Sequence, residues 1–163
     1  MIIEDPSIRI GEELKRFKLG GTLIGADIAE NRLREARQKR IYSLCVEANV
    51  YALPFADQSF DVVVSNGMVG LTGARSVREM YRLVKPGGYL ACVAVEVKNW
   101  QWSRLRFKKV CAELRLLPAS SFIFRRDLGT GYADTDYNDE HHMFFLFKKN
   151  RTQCLRQKNR PNN

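Results

Sequence analysis

Apolar residues in this chain fall into two alternating rhythms. Short runs at TLIGA (22–26), IYSLCV (41–46), VVV (62–64) and YLACVAVEV (89–97) predict strands. Between them, apolar positions recur at three and four residues, the spacing of a helix stripe. Leu33 and Ala36 mark one such stripe between Glu30 and Arg40. Val77, Met80, Tyr81 and Val84 mark a second, and Phe107, Val110, Cys111 and Leu114 a third. EELKRFKL at 12–19 predicts a further short helix, closed by Gly20 and Gly21. Two late strands are expected near 119–125 and 142–148, where SFIF and MFFLFK are bounded by polar loops.

The stretch from Leu53 to Val95 organises the rest. The run Val62–Val64 is too continuous for a sheet with one wet face and predicts a strand buried on both faces. The Val77 stripe supplies a helix to cover it. Pro86 is expected to end that helix, and Gly87 and Gly88 to turn the chain straight back into the strand 89–97. Strand, helix and strand in this order make a βαβ unit, so the sheet is parallel and the fold class is α/β.

Length and charge narrow the picture. With 163 residues the chain is expected to form one domain over 1–150, with no internal repeat. No apolar run reaches the roughly 18 residues of a membrane span, and MIIEDPSIRI lacks the basic-then-apolar order of a signal peptide. A cytoplasmic protein is the expectation. Cys45, Cys92, Cys111 and Cys154 show no C-x-x-C spacing, which favours reduced structural thiols over disulfides or zinc. The net charge is +9, but residues 148–163 hold six basic side chains and no acid. Most of the excess therefore belongs to this C-terminal stretch, 148–163, of which the basic tail 151–163 has a polarity that predicts disorder. The arginines of the 30–40 helix read as a solvated face, and nucleic acid is not expected as a partner. Asp134, Asp136 and Asn138 invite comparison with a calcium loop, but Asp139 and Phe145 stand where such a loop needs Gly and Glu, so no metal site is expected.

In open parallel sheets ligands sit beyond the carboxyl ends of the strands. Asp27, at the end of the first clear strand, is the strongest candidate, because one carboxylate can accept from both hydroxyls of a ribose. An Asp there could also simply cap the next helix. Asn49 follows the strand 41–46 and could be no more than a turn former. Ser65, Asn66 and Gly67 follow the central strand. His141 and His142 are the only histidines, and as neighbours on a strand they cannot both serve one site, so no catalytic residue is assigned. Trp100 and Trp102 read as anchors of the following helix, with lining of an acceptor pocket as the alternative use.

LPF, the acidic D-x-S-F-D box at 57–61 and R-x-x-K-P-G-G at 82–88, at these spacings, resemble the downstream core of class I S-adenosylmethionine-dependent methyltransferases acting on small molecules. The resemblance covers residues 12–97. EANVYALPFADQSFD is similar to the ubiquinone and menaquinone C-methyltransferases, and VSNGMVGL with REMYRLVKPGG to arsenite methyltransferases. It implies a Rossmann-like sheet, mostly parallel with an antiparallel terminal strand at 142–148, and S-adenosylmethionine as cofactor with a small-molecule methyl acceptor. It implies that Asp27 holds the ribose and Ile28 stands beside it, and that Asn49 accepts from the adenine amino group while Val50 offers its N–H and side chain to the ring. Ser65 and Asn66 would lie beneath the methionine portion. SNGM is not the Asn/Asp-Pro-Pro-aromatic tetrapeptide of amino-directed nucleic-acid methyltransferases, which counts against that chemistry.

The same resemblance raises an expectation of something missing. Such enzymes open with a buried strand and a Gly-rich loop, and MIIEDPSIRIG contains neither a strand-length apolar run nor two spaced glycines. The sequence thus predicts an N-terminally truncated sheet with open edges beside the strands ending at Asp27 and Ser65, unless rearrangement or a partner fills the gap. Two alternatives to an intact enzyme stay open at this point. One is a non-catalytic methyltransferase remnant that binds a protein or itself through those edges; the other is an RNA methyltransferase that uses the basic helix face and tail.

Overall fold

In a computed structural model the described residues are 2–3, 21–66, 69–96, 104–116, 118–125 and 141–150. Strands are β1 (Ile2–Ile3), β2 (Ile24–Asp27), β3 (Leu44–Glu47), β4 (Phe60–Asn66), β5 (Val84–Glu96), β6 (Ser120–Arg125) and β7 (His141–Lys148). Helices are α1 (Glu30–Gln38), α2 (Val69–Leu83) and α3 (Arg104–Leu114). The strands form one sheet in the order β3-β2-β1-β4-β5-β7-β6. Pairing is parallel from β3 through β5, while β7 runs antiparallel to both β5 and β6. The expected α/β, Rossmann-like sheet with an antiparallel last strand is what forms. In space β7 lies between β5 and β6, so β6 takes the edge.

The centre of the sheet departs from expectation. Ile2 and Ile3 pair in parallel with Gly25 and Ala26 on one side and with Val64 and Ser65 on the other. The strand expected to be absent is therefore present as two residues. Two β-branched residues suit a strand but are too few to register as a periodic run. The edges that suggested a protein-binding remnant are closed at this level. The expected helix 12–19 and the residues just before it, where a Gly-rich loop would fall, lie outside the described residues, as do Gly67, Trp100, Trp102, the acidic turn 134–139 and the tail 151–163.

Alternation along the strands sorts the core into two sides. Val63 joins Val77, Met80, Leu83, Val84, Leu90, Cys92, Val110, Cys111 and Phe147 in the main cluster, so α2 and α3 cover that face. Val64, one residue on, packs with Ala36 of α1 and with Tyr42 on the opposite face. Val62 shares the face of Val64 yet is 43% exposed, so the valine run is not buried on both faces along its whole length. The reason is position: α1, only nine residues long, packs opposite Val64, nearer the carboxyl end of the sheet. Helix α2 also stops earlier than Pro86. Val84 already pairs with Phe60 as the first residue of β5, and the register shifts before Val62 meets Tyr89. Within α2 the backbone leaves helical geometry once, at Gly73.

Candidate functional site

One row of paired residues crosses the sheet and levels the site: Val46, Ala26, Ile3, Ser65, Cys92 and Phe145. Asp27 and Asn66 are each one residue beyond that row, at the carboxyl ends of β2 and β4. The strand order reverses between β1 and β4, and such a reversal opens a crevice at the carboxyl ends. Asp27, Ile28, Ser65 and Asn66 are thus brought to one rim by the register alone.

Asp27 is 3% exposed. Its Oδ1 accepts from the Ala29 N–H at 2.7 Å, which shapes the turn into α1, while its buried Oδ2 has no hydrogen-bond partner among the described residues. The guanidinium of Arg32, 56% exposed, stands 3.8 Å from that oxygen, too far for a hydrogen bond. One oxygen holds the turn ahead of α1, whose N-cap residue is Ala29 and carries no side-chain cap hydrogen bond, so Asp27 is not the helix cap; the other oxygen accepts no hydrogen bond among the described residues. An unmet buried acceptor costs about 1–3 kcal/mol, so an oxygen held this way suits a ligand hydroxyl. Ile28, next in the chain, is 62% exposed, a large apolar side chain left in the open beside the carboxylate. The Ser65 hydroxyl is buried and likewise has no hydrogen-bond partner among the described residues.

The loop after β3 is fastened to this rim. Ala48 donates its N–H to the Asp27 carbonyl at 2.9 Å. Asn49 Oδ1 accepts from the Tyr51 N–H at 2.9 Å, and the Ala52 N–H donates back to the Asn49 carbonyl. Asn49 therefore does form a turn, and one lone pair of its side-chain carbonyl is engaged within the loop. Val50 is 6% exposed and belongs to the main core cluster, so its side chain is covered by protein and its N–H is what it has to offer. His141 and His142 pair in the backbone with Glu96 and Val95, which sets the start of β7 at the carboxyl end of β5.

Several residues absent from the sequence-based list complete the loop. The Arg75 guanidinium lies 5.1 Å from the Tyr51 ring centroid, and the Tyr51 hydroxyl donates to the Thr72 carbonyl at 3.4 Å. Glu79 Oε1 accepts the Leu53 N–H at 2.9 Å. Arg82 reaches from the same helix to the Leu53 and Phe55 carbonyls. A signal for this pair was available, since an acid and an arginine three apart on a helix face each other.

A family model described as "Methyltransferase domain" matches residues 9–92, just over half of the chain. The chain belongs to this methyltransferase family. Among curated proteins, this methyltransferase-family chain is 36% identical over 102 residues to a demethylmenaquinone methyltransferase of Listeria welshimeri, a match covering 58% of this chain and 42% of that protein. It is 40% identical over 78 residues to a ubiquinone/menaquinone biosynthesis C-methyltransferase of Klebsiella pneumoniae, covering 43% of this chain and 31% of that one. The chain thus spans less than half the length of these relatives. Among solved structures, geranyl diphosphate C-methyltransferase of Streptomyces coelicolor, in complex with Mg2+, geranyl diphosphate and S-adenosyl-L-homocysteine, matches with a TM-score of 0.65 at 14% identity, over 85% of this chain and 66% of that one. The [4+2]-cyclase SpnF matches with a TM-score of 0.63 at 14% identity, over 91% and 75%. At such identities the likeness concerns the fold alone, and a cyclase among the matches shows why chemistry must be argued from the site.

Proposed function

We propose that this chain binds S-adenosylmethionine at the carboxyl ends of β1, β2 and β4 and transfers its methyl group to a small-molecule acceptor. The observation that carries this is the buried Oδ2 of Asp27, which pairs with the exposed Arg32 at 3.8 Å but accepts no hydrogen bond among the described residues. The residues fit the cofactor. Asp27 would accept from the ribose hydroxyls, Ile28 would cover one side of the nucleoside, and the Val50 N–H and Asn49 side chain would meet the adenine edge. Ser65 and Asn66 would stand under the methionine portion. When bound, S-adenosylmethionine supplies a methyl on a sulfonium, so the protein's task is to align an acceptor with it and exclude water. The names of the Listeria and Klebsiella relatives make a quinone ring carbon the acceptor class to test first.

Calorimetric titration of S-adenosylhomocysteine tests the assignment. The Asp27→Ala variant is expected to bind about ten- to a hundred-fold more weakly than the wild-type chain, the range for losing hydrogen bonds to a charged acceptor. Asp27→Asn, which keeps an acceptor for the Ala29 N–H, should lose less. Equal affinity in wild type and Asp27→Ala removes the ribose role.

A further inference from the structure

The loop that carries Asn49 and Val50 continues to Ser59, and its second half is held by two side chains of α2. All five N–H donors of Arg82 are used there. Nε donates to Glu79 Oε2 at 2.9 Å and Nη2 to Glu79 Oε1 at 2.7 Å. Nη2 also donates to the Leu53 carbonyl at 3.1 Å, and Nη1 to the Phe55 carbonyl at 2.8 Å and to Asp57 Oδ1 at 2.6 Å. Glu79 in turn takes the Leu53 N–H, and the Arg82 carbonyl takes the Gln58 N–H at 3.0 Å. The Glu79 and Arg82 side chains are only 17% and 29% exposed, so solvent screens this pair less than the contact to Asp57, which is 69% exposed. The guanidinium draws the Glu79 carboxyl below its usual range, and the carboxylate raises Arg82 in return.

We propose that Glu79 and Arg82 are positioning residues for cofactor binding: they clamp Leu53–Gln58 to α2 and so fix where Asn49, Val50 and Tyr51 present themselves to the nucleoside. The clamp rests on the function proposed above. Its geometry is selective. The three backbone groups its side chains grip, the Leu53 N–H and the Leu53 and Phe55 carbonyls, belong to the loop, and the loop's other end is already tied to the Asp27 carbonyl through Ala48. Releasing the clamp therefore frees the span between these two fastenings rather than the sheet beneath it. A lysine, with three donors on one atom, cannot bridge Glu79 and two carbonyls at once.

The test combines S-adenosylhomocysteine titration with amide hydrogen exchange in wild type, Arg82→Met, Arg82→Lys and Glu79→Gln. In Arg82→Met the affinity is expected to fall about ten-fold, roughly the worth of one net hydrogen bond. Exchange should accelerate over residues 50–58 and not in β5 or β7. Arg82→Lys should recover little of the loss, whereas Glu79→Gln, which keeps an acceptor for the Leu53 N–H, should lose less and folds even if the arginine variants do not. Faster loop exchange with unchanged affinity, in whichever of these variants folds, overturns the clamp as a cofactor device. Uniformly faster exchange across the sheet overturns it too, by making the pair a general stabiliser. If wild type itself fails to bind, the functional proposal falls and the positioning role falls with it; binding by wild type and all variants alike removes the positioning role alone.

Discussion

At the scale of single residues, the two glycines of the K-P-G-G turn do different work. Gly87 has φ +86°, a left-handed conformation that side chains resist. Gly88 is fixed by space: a Cβ there would lie 2.4 Å from the Asp61 carbonyl oxygen, 3.0 Å from Val84 and 3.1 Å from the Lys85 carbonyl. Backbone oxygens cannot swing aside. Gly88→Ala should therefore cost about 2 kcal/mol or more, the scale of forced overpacking, and lower the thermal midpoint. Gly25 offers the contrast. Its Cβ would meet the Tyr42 ring at 3.2 Å, a side-chain contact that can yield by tenths of an ångström, so Gly25→Ala should cost less in the same melt. The sequence predicts a turn at 86–88, whereas these residues lie within β5 at its register shift; which glycine serves conformation and which serves contact depends on the neighbouring strand.

At the scale of elements, α2 binds the molecule together. Its inner stripe, Val77, Met80 and Leu83, is fully buried against the sheet, and its outer edge grips the loop before β4. Its last carbonyls need partners, as at every helix end. Lys149, 4% exposed, supplies them: its ammonium donates to the Tyr81 carbonyl at 3.0 Å and the Arg82 carbonyl at 3.4 Å, and lies 5.0 Å from the Tyr81 ring centroid. The backbone of Lys149 also exchanges hydrogen bonds with Gly87 and Gly88, which locks this cap to the turn. Lys149→Met keeps the apolar stem and removes the charge at the negative end of the helix. About 1–2 kcal/mol of stability should be lost, seen as a lower urea midpoint with unchanged slope. From sequence, Lys149 belonged with the basic tail; only the return of β7 beside β5 shows that it is an internal cap.

For the whole molecule, acid stability follows from the loop clamp. The Glu79 carboxyl is lowered in the folded chain, first by its hydrogen bond from Arg82, against the opposing effect of burial. A folded-state value below the unfolded one adds stability that is complete above the ordinary value of 4.5 and is lost as pH falls through the folded value. Urea unfolding between pH 6 and pH 3 should show wild type losing stability more steeply below about pH 4.5 than Glu79→Gln. Parallel curves would mean that the pair contributes nothing to the acid limb.

The sequence by itself determined the strand and helix rhythm, the parallel βαβ core, and the family resemblance carried by LPF, the acidic box and K-P-G-G. Those features are local: periodicity, turn chemistry and short motifs are written in consecutive residues. What only the tertiary structure decided depends on distant segments meeting. Ile2 and Ile3 became a strand because β2 and β4 leave a two-residue gap to pair across. Asn49 used its side chain for a turn, and Val50 was drawn into the core, because α2 packs beneath their loop. Arg82 became a clamp because folding brings two loop carbonyls, 27 and 29 residues earlier in the chain, within reach of a single guanidinium. A hydrogen bond across such a separation leaves no periodic trace in the sequence, which is why the partners appear only when the chain is folded.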